Sequence, residues 1–185
     1  MVFDVVEDVV TEYKELSNYE GFKLEVIRNF SSDTTITEEE FNSKNIPHLT
    51  DRLFEEVSGF YARKSDGIMK QSMHVLKQVF EERGAHIEQV IVPFTDGIRQ
   101  INVPVDLRKA IANNGREVTK AFEKTIILAL IDDSWKEHLR EMDELKQSVQ
   151  NAVYEQKDPL IIYKMEAFNL FKSMLNVVNK EVVSF

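Results

Sequence analysis

Apolar residues recur at helical spacing over most of this chain. From Phe3 to Leu16 they fall at Phe3, Val6, Val9, Val10, Tyr13 and Leu16, one face of a helix. Residues 17–46 break the pattern. They are polar and mixed, and Ser31-Ser32-Asp33-Thr34-Thr35 reads as a loop. Thr37 followed by Glu40 is a capping-box pair and predicts a short helix through Phe41. Ile46-Pro47 opens a longer helix, with proline in the first turn. Its apolar positions are Leu49, Leu53, Val57, Phe60, Tyr61, Ile68, Met73, Leu76, Val79 and Phe80. Ser65-Asp66-Gly67 is a point where it could bend or break, and Gly84 reads as its stop.

The period then changes. Residues 87–92 and 98–103 are β-branched runs on either side of Pro93-Phe94-Thr95-Asp96-Gly97, a hairpin signal. An isolated hairpin is marginal in water, so this one must pack on a helix. Residues 105–112 read as a short helix ended by Asn113-Asn114-Gly115.

The longest pattern comes last. Leu128, Ile131, Trp135, Met142, Leu145 and Val149 form one stripe, with the missing step at His138 or Leu139. Phe168, Phe171, Leu175, Val178 and Val182 form another. Between them Asp158-Pro159 supplies an N-cap and a first-turn proline, so one helix ends and a second begins. The predicted fold is mainly α. A long antiparallel helical hairpin, arms about 116–153 and 159–184, joins a smaller helical part carrying the β-hairpin. At 1.5 Å per residue the first arm is roughly 55 Å long, more than a compact domain of this size spans, so it projects or braces another domain.

Composition narrows the function. The 185 residues contain no cysteine, which excludes disulfides, thiolate metal sites and a thiol nucleophile. The net charge is −9, and the first 40 residues carry 11 acids against 3 bases. Such a chain repels phosphate backbones, so nucleic acid is a poor partner. The acidic stretch reads as a solvated face or as a surface for a basic partner. The longest apolar run, Ile126 to Ile131, is far short of the about 20 residues of a membrane-spanning helix. Both termini remain in helical pattern to their last residues, and both read as cut from a longer protein.

Candidate chemistry is sparse. His138 and Glu141 stand three apart and could share a metal, but the remaining ligands are missing. No nucleophile elbow and no phosphate-binding loop is present. Asp132 and Asp133 are adjacent and point apart on a helix. Trp135 reads as packing, in a core or between domains. Tyr154 is different, because an aromatic at a helical tip cannot bury itself against its own hairpin. It reads either as turn packing or as contact with another molecule.

One string of residues resembles a known family. Trp135-Lys136-Glu137-His138-Leu139, Met142-Asp143, Leu145, Tyr154, Gln156-Lys157-Asp158-Pro159-Leu160, Tyr163-Lys164, Glu166, Phe168, Phe171 and Met174-Leu175 are similar to the C-terminal region of SecA. SecA is the motor ATPase of bacterial preprotein translocation. The resemblance implies that residues 1–16 and 116–185 belong to a helical scaffold domain. It implies that 17–115 form a helical wing, in which 66–114 reads as an insertion. The hairpin would be the two-helix finger that enters the SecY channel. Tyr154, with Gln156 and Lys157, would contact the channel and the unfolded preprotein. Trp135, His138, Leu139 and Met142 would pack against the motor domains of the same protein. ATP and magnesium would bind in those motor domains, with no cofactor in this chain. The location implied is the cytoplasm, peripheral at the inner membrane. This chain has Lys146 and Ala152 where the family usually has arginine, and Ser148 where it has glycine. A free-standing helical adaptor that binds a partner through the hairpin is the competing reading, and it predicts no motor domain upstream.

Overall fold

A computed structural model describes residues 1–83, 86–95, 97, 100–151 and 158–184. The described elements are α1 (Val2–Glu15), α2 (Tyr19–Phe30), α3 (Glu38–Ser43), α4 (Ile46–Arg83), β1 (Gln89–Thr95), β2 (Gln100–Asp106), α5 (Leu107–Ala112), α6 (Arg116–Asn151) and α7 (Pro159–Ser184). The fold is mainly α with one β-hairpin, as the periodicity predicts.

Two apolar cores share these elements. The first gathers Val5, Val6, Val9 and Val10 of α1, Phe22 and Val26 of α2, Phe41 of α3 and Leu49, Leu53 and Val57 of α4. Most are under 2% exposed, and each fully buried side chain of this size contributes about 1.5–3 kcal/mol. Phe22 and Phe41 stack at 4.9 Å, with Tyr19 5.6 Å from Phe41. The Tyr19 hydroxyl donates to the Ile36 carbonyl at 2.8 Å, pinning the loop that follows α2. Glu56 of α4 holds the same loop, accepting from Thr34 Oγ1 at 2.8 Å and from the Thr35 N–H at 3.2 Å.

Helix α2 lies where the sequence was read as mixed and polar. Its signal is a four-residue repeat, Phe22, Val26 and Phe30, narrow enough to be hidden among charged neighbours. Asn18 caps it, accepting the Gly21 N–H at 2.9 Å. A Cβ on Gly21 would lie 2.5 Å from Asn18 Nδ2 and 2.6 Å from the Tyr13 ring, so any larger residue there would displace the capping side chain or the ring.

Helix α4 runs unbroken for 38 residues, about 57 Å, through Ser65-Asp66-Gly67. A mid-helix glycine costs about 1 kcal/mol. Here the segments on either side are anchored, by Leu53 and Val57 in the first core and by Leu76 in the second. An Asp66–Lys70 ion pair at 2.6 Å spans the glycine. Gly84 lies outside the described residues.

The second core joins Leu76 of α4 to Val103 and Val105 of β2, Leu107 and Ala110 of α5 and Val118 of α6. The strands are slightly longer than the pattern suggested, and both are shifted toward the C-terminus, β1 into the expected turn and β2 away from it. They pair antiparallel from Gln89 opposite Asp106 to Thr95 opposite Gln100. Pro93 and Phe94, expected in the turn, are in β1. In a two-stranded sheet both strands are edges, where proline is tolerated. Pro93 and Pro104 occupy the same alternate set of pairs, so one phase of the ladder turns both nitrogens outward. Residues 90, 92 and 94 then face inward with 101, 103 and 105, while 89, 91, 93 and 95 face water. Phe94 reaches Phe122 of α6, ring centres 4.5 Å apart. The hairpin thus packs on a helix, as its marginal stability requires.

Candidate functional site

The site candidates lie on α6 and α7, which pack along each other. His138 stands against Phe171 at 5.9 Å, and Lys146 lies close enough to Tyr163 to feel its hydroxyl. The residue numbers of the two pairs add to the same value, as the register of an antiparallel hairpin requires. The arms match the predicted ones closely, 116–151 against 116–153 and 159–184 as expected.

Each arm is fixed at its base by a different core. Val118, Ala121 and Phe122 of α6 belong to the second core, and Val183 of α7 packs on the first. Further along, burial nearly stops. Among the described residues between 131 and 177, His138 and Val149 alone are buried. Ile131, Trp135, Leu139, Met165, Phe168, Phe171 and Leu175 are each 41–66% exposed. Such a continuous apolar surface marks an interaction face rather than a solvated one.

The four packing candidates divide across this face. His138 is turned inward at 6% exposure, with the Trp135 ring 5.4 Å and the Phe171 ring 5.9 Å away. Its Nδ1 has no hydrogen-bond partner. Trp135 and Leu139 are 44% and 49% exposed, and Met142 is half-buried. Tyr154, Gln156 and Lys157 lie outside the described residues. Asp158 caps α7, accepting the Leu160 N–H at 2.9 Å.

The cations of this half of α6 are already engaged. Lys136 pairs with Asp132 at 2.6 Å and Asp133 at 3.4 Å, and Lys146 with Asp143 at 3.0 Å. Arg140 bonds to Glu137. The hydrogen bond that Lys136 donates to Asp132, and the charge of that carboxylate, hold Lys136 above the usual lysine range, and Asp143 does the same for Lys146. These pairs occupy all three cations between residues 131 and 151, and the six acids there leave the arm acidic beside its apolar stripe.

No group of three or more His, Asp or Glu side chains among the described residues could hold a metal. The His138–Glu141 pair therefore gains no further ligand. No described helix is long and apolar enough to cross a membrane.

A junction between the cores was not read from the sequence. Tyr61, midway along α4, donates its hydroxyl to Glu123 Oε1 of α6 at 2.6 Å. Burial, and then that bond to a carboxylate, push the phenol up to about 12. Tyr61 has the spacing of a core residue, and nothing in the local pattern points to a carboxylate 62 positions away.

The architecture defines a class: a mainly helical scaffold, braced by two small cores, that extends one long arm-pair with an uncovered apolar face. Residues 1–185 match the family described as SecA Wing and Scaffold domain, and the chain belongs to it. It is similar to the protein translocase subunit SecA of Flavobacterium psychrophilum, 44% identical over 185 residues, 100% of this chain and 17% of that protein. The SecA of Christiangramia forsetii is 46% identical over 185 residues, 100% and 16% respectively. That of Porphyromonas gingivalis is 44% identical over 183 residues, 99% and 16%. The chain thus spans about a sixth of the length of these curated relatives.

Proposed function

We propose that this chain is the non-catalytic wing, scaffold and finger portion of a SecA translocase, an ATPase that drives preproteins through the SecY channel. Residues 1–16 and 116–185 act as scaffold and 17–115 as wing, with 66–114 an insertion. The observation that carries the reading is the hairpin. Both arms are tied at the base to separate cores, and the apolar surface beyond is left bare. A packed helix pair moves as one body, so a push at its base is delivered at its far end. In sequence Tyr154, Gln156 and Lys157 fall between the arms, and they contact the channel and the moving polypeptide. A phenol offers an aromatic face and a hydroxyl without demanding one partner, which suits a substrate of varying sequence. Trp135, Leu139 and Met142 pack against the motor domains, where ATP and magnesium bind, and His138, buried inside the hairpin, backs Trp135 from beneath. The protein then works in the cytoplasm and at the inner membrane through the channel.

The test is Tyr154→Ala in the full-length translocase, followed by transport of a labelled preprotein into SecY vesicles. Transport slows while the unfolding midpoint stays within error of the wild type. Equal transport rates for the two proteins would remove the finger-tip role.

A further inference from the structure

An open cavity of about 700 Å³ lies between α4 and the turn that joins α5 to α6, away from the hairpin face. One wall is a single face of α4, where Asp66, Met69 and Lys70, Met73 and Lys77 recur on successive turns. The other wall is the turn, with Asn113 and Arg116.

The groove is locked open by its own backbone. Gly115 has φ +86°, and a Cβ there would meet Met73 Cγ at 3.0 Å and the Met69 carbonyl at 3.1 Å. The turn therefore sits directly on α4. Asn113 fixes its other side by accepting the Glu117 N–H at 3.1 Å. A preformed groove binds without first being ordered.

Its charge is opposite to that of the molecule. On a chain of net −9, this groove presents three cations and one carboxylate. Asp66 engages Lys70 at 2.6 Å. Lys77 and Arg116, on opposite walls, have no ion-pair partner among the described residues. Between them are two thioether side chains, which adapt to irregular apolar shapes.

We infer that this groove docks an acidic, partly apolar segment of polypeptide. Its carboxylates meet Lys77 and Arg116 in charge-assisted bonds, and its aliphatic side chains cover Met69 and Met73. An inorganic anion would satisfy one cation and leave the methionines wet. The separation of the cations across an apolar floor favours a chain that carries both chemistries.

The test titrates the 185-residue chain, labelled at its methionine methyls, with a blocked Glu-Leu-Asp-Leu-Glu peptide. The chain has six methionines, so those distant from the groove serve as controls. Met69 and Met73 shift saturably, and the others do not. Lys77→Glu with Arg116→Glu weakens binding by about tenfold or more. The milder Lys77→Gln with Arg116→Gln weakens it less and guards against a folding defect. Asp66→Asn removes the one repelling carboxylate and tightens binding, a gain that misfolding cannot produce. Added salt weakens all of these interactions. The inference is overturned if a Gln-Leu-Asn-Leu-Gln peptide binds equally, or if neither methyl moves at millimolar peptide. It is equally overturned if inorganic phosphate, or vesicles of phosphatidylglycerol, shift both methyls while the peptide does not.

Discussion

Phe22 on α2 and Phe168 on α7 are the same residue type, each on an apolar stripe of a regular helix. Phe22 is wholly buried among Tyr19, Phe41 and the valines of α1, whereas Phe168 is 66% exposed. The same contrast separates the first core as a whole from the outer half of the hairpin. Periodicity shows that a face is apolar, but not whether the chain itself covers that face. In the first core four helices converge on one volume. In the hairpin two helices meet along a line, and two cylinders in contact shield only the strip between them. The remainder of the stripe is available to another surface, which is the physical basis of the proposed role.

The largest effect expected is on the packed side of this contrast. Phe22→Ala should cost about 3–5 kcal/mol in urea unfolding, while Phe168→Ala should change stability by no more than about 0.5 kcal/mol. Similar losses at both positions would show that the hairpin face is covered in solution and break the comparison. Leu107→Ala, in the second core, should cost about 2–5 kcal/mol. Combined with Phe22→Ala it should add within about 0.5 kcal/mol, because the two sites share no packing partner. A large non-additive term would mean that α4 couples the two cores tightly.

Smaller effects sharpen the picture at the junctions. Gly115→Ala should cost about 1–2 kcal/mol, since its φ of +86° places a side chain in the left-handed region. Thermal unfolding measures it. Tyr61→Phe should cost about 1 kcal/mol through loss of the bond to Glu123. Its pH signature has a fixed sign. The phenol is held above its ordinary value of 10.0, up to about 12, so the neutral form is favoured by folding. The resulting stability is complete below pH 10 and is lost as pH rises toward 12. Unfolding curves between those limits should therefore flatten in Tyr61→Phe. Least of all, His138→Leu should fall within about 0.5 kcal/mol of wild type, or above it. The replaced Nδ1 is buried and makes no hydrogen bond, so nothing is left unpaired by its removal.

Much of the fold was legible in the sequence because its signals are local. The capping pair at Thr37 and Glu40, the proline at 159 and the 3.6-residue stripes of α1, α4, α6 and α7 each act within one or two turns of helix. Thr37 does accept the Glu40 N–H, at 3.2 Å. The misreadings come from competition between signals. Pro93 reads as a turn residue, yet it sits in a strand because both strands are edges and its missing N–H is not needed. Gly67 reads as a break, yet α4 continues because packing at both ends outweighs one glycine. Helix α2 was hidden because charged residues surround its three-residue apolar stripe.

The site divides in the same way. Sequence alone marked Trp135, His138, Leu139 and Met142 as one group on one helix, since their spacing is a property of the helix. Only the tertiary structure decided that His138 turns toward Phe171 while Trp135 and Leu139 stay half-exposed, because that depends on the angle at which α7 crosses α6. The Tyr61–Glu123 bond and the cationic groove at Lys77 and Arg116 belong to the same category. Each joins residues far apart in the chain, and a pairing that no local pattern encodes is fixed only when the two cores bring their helices together.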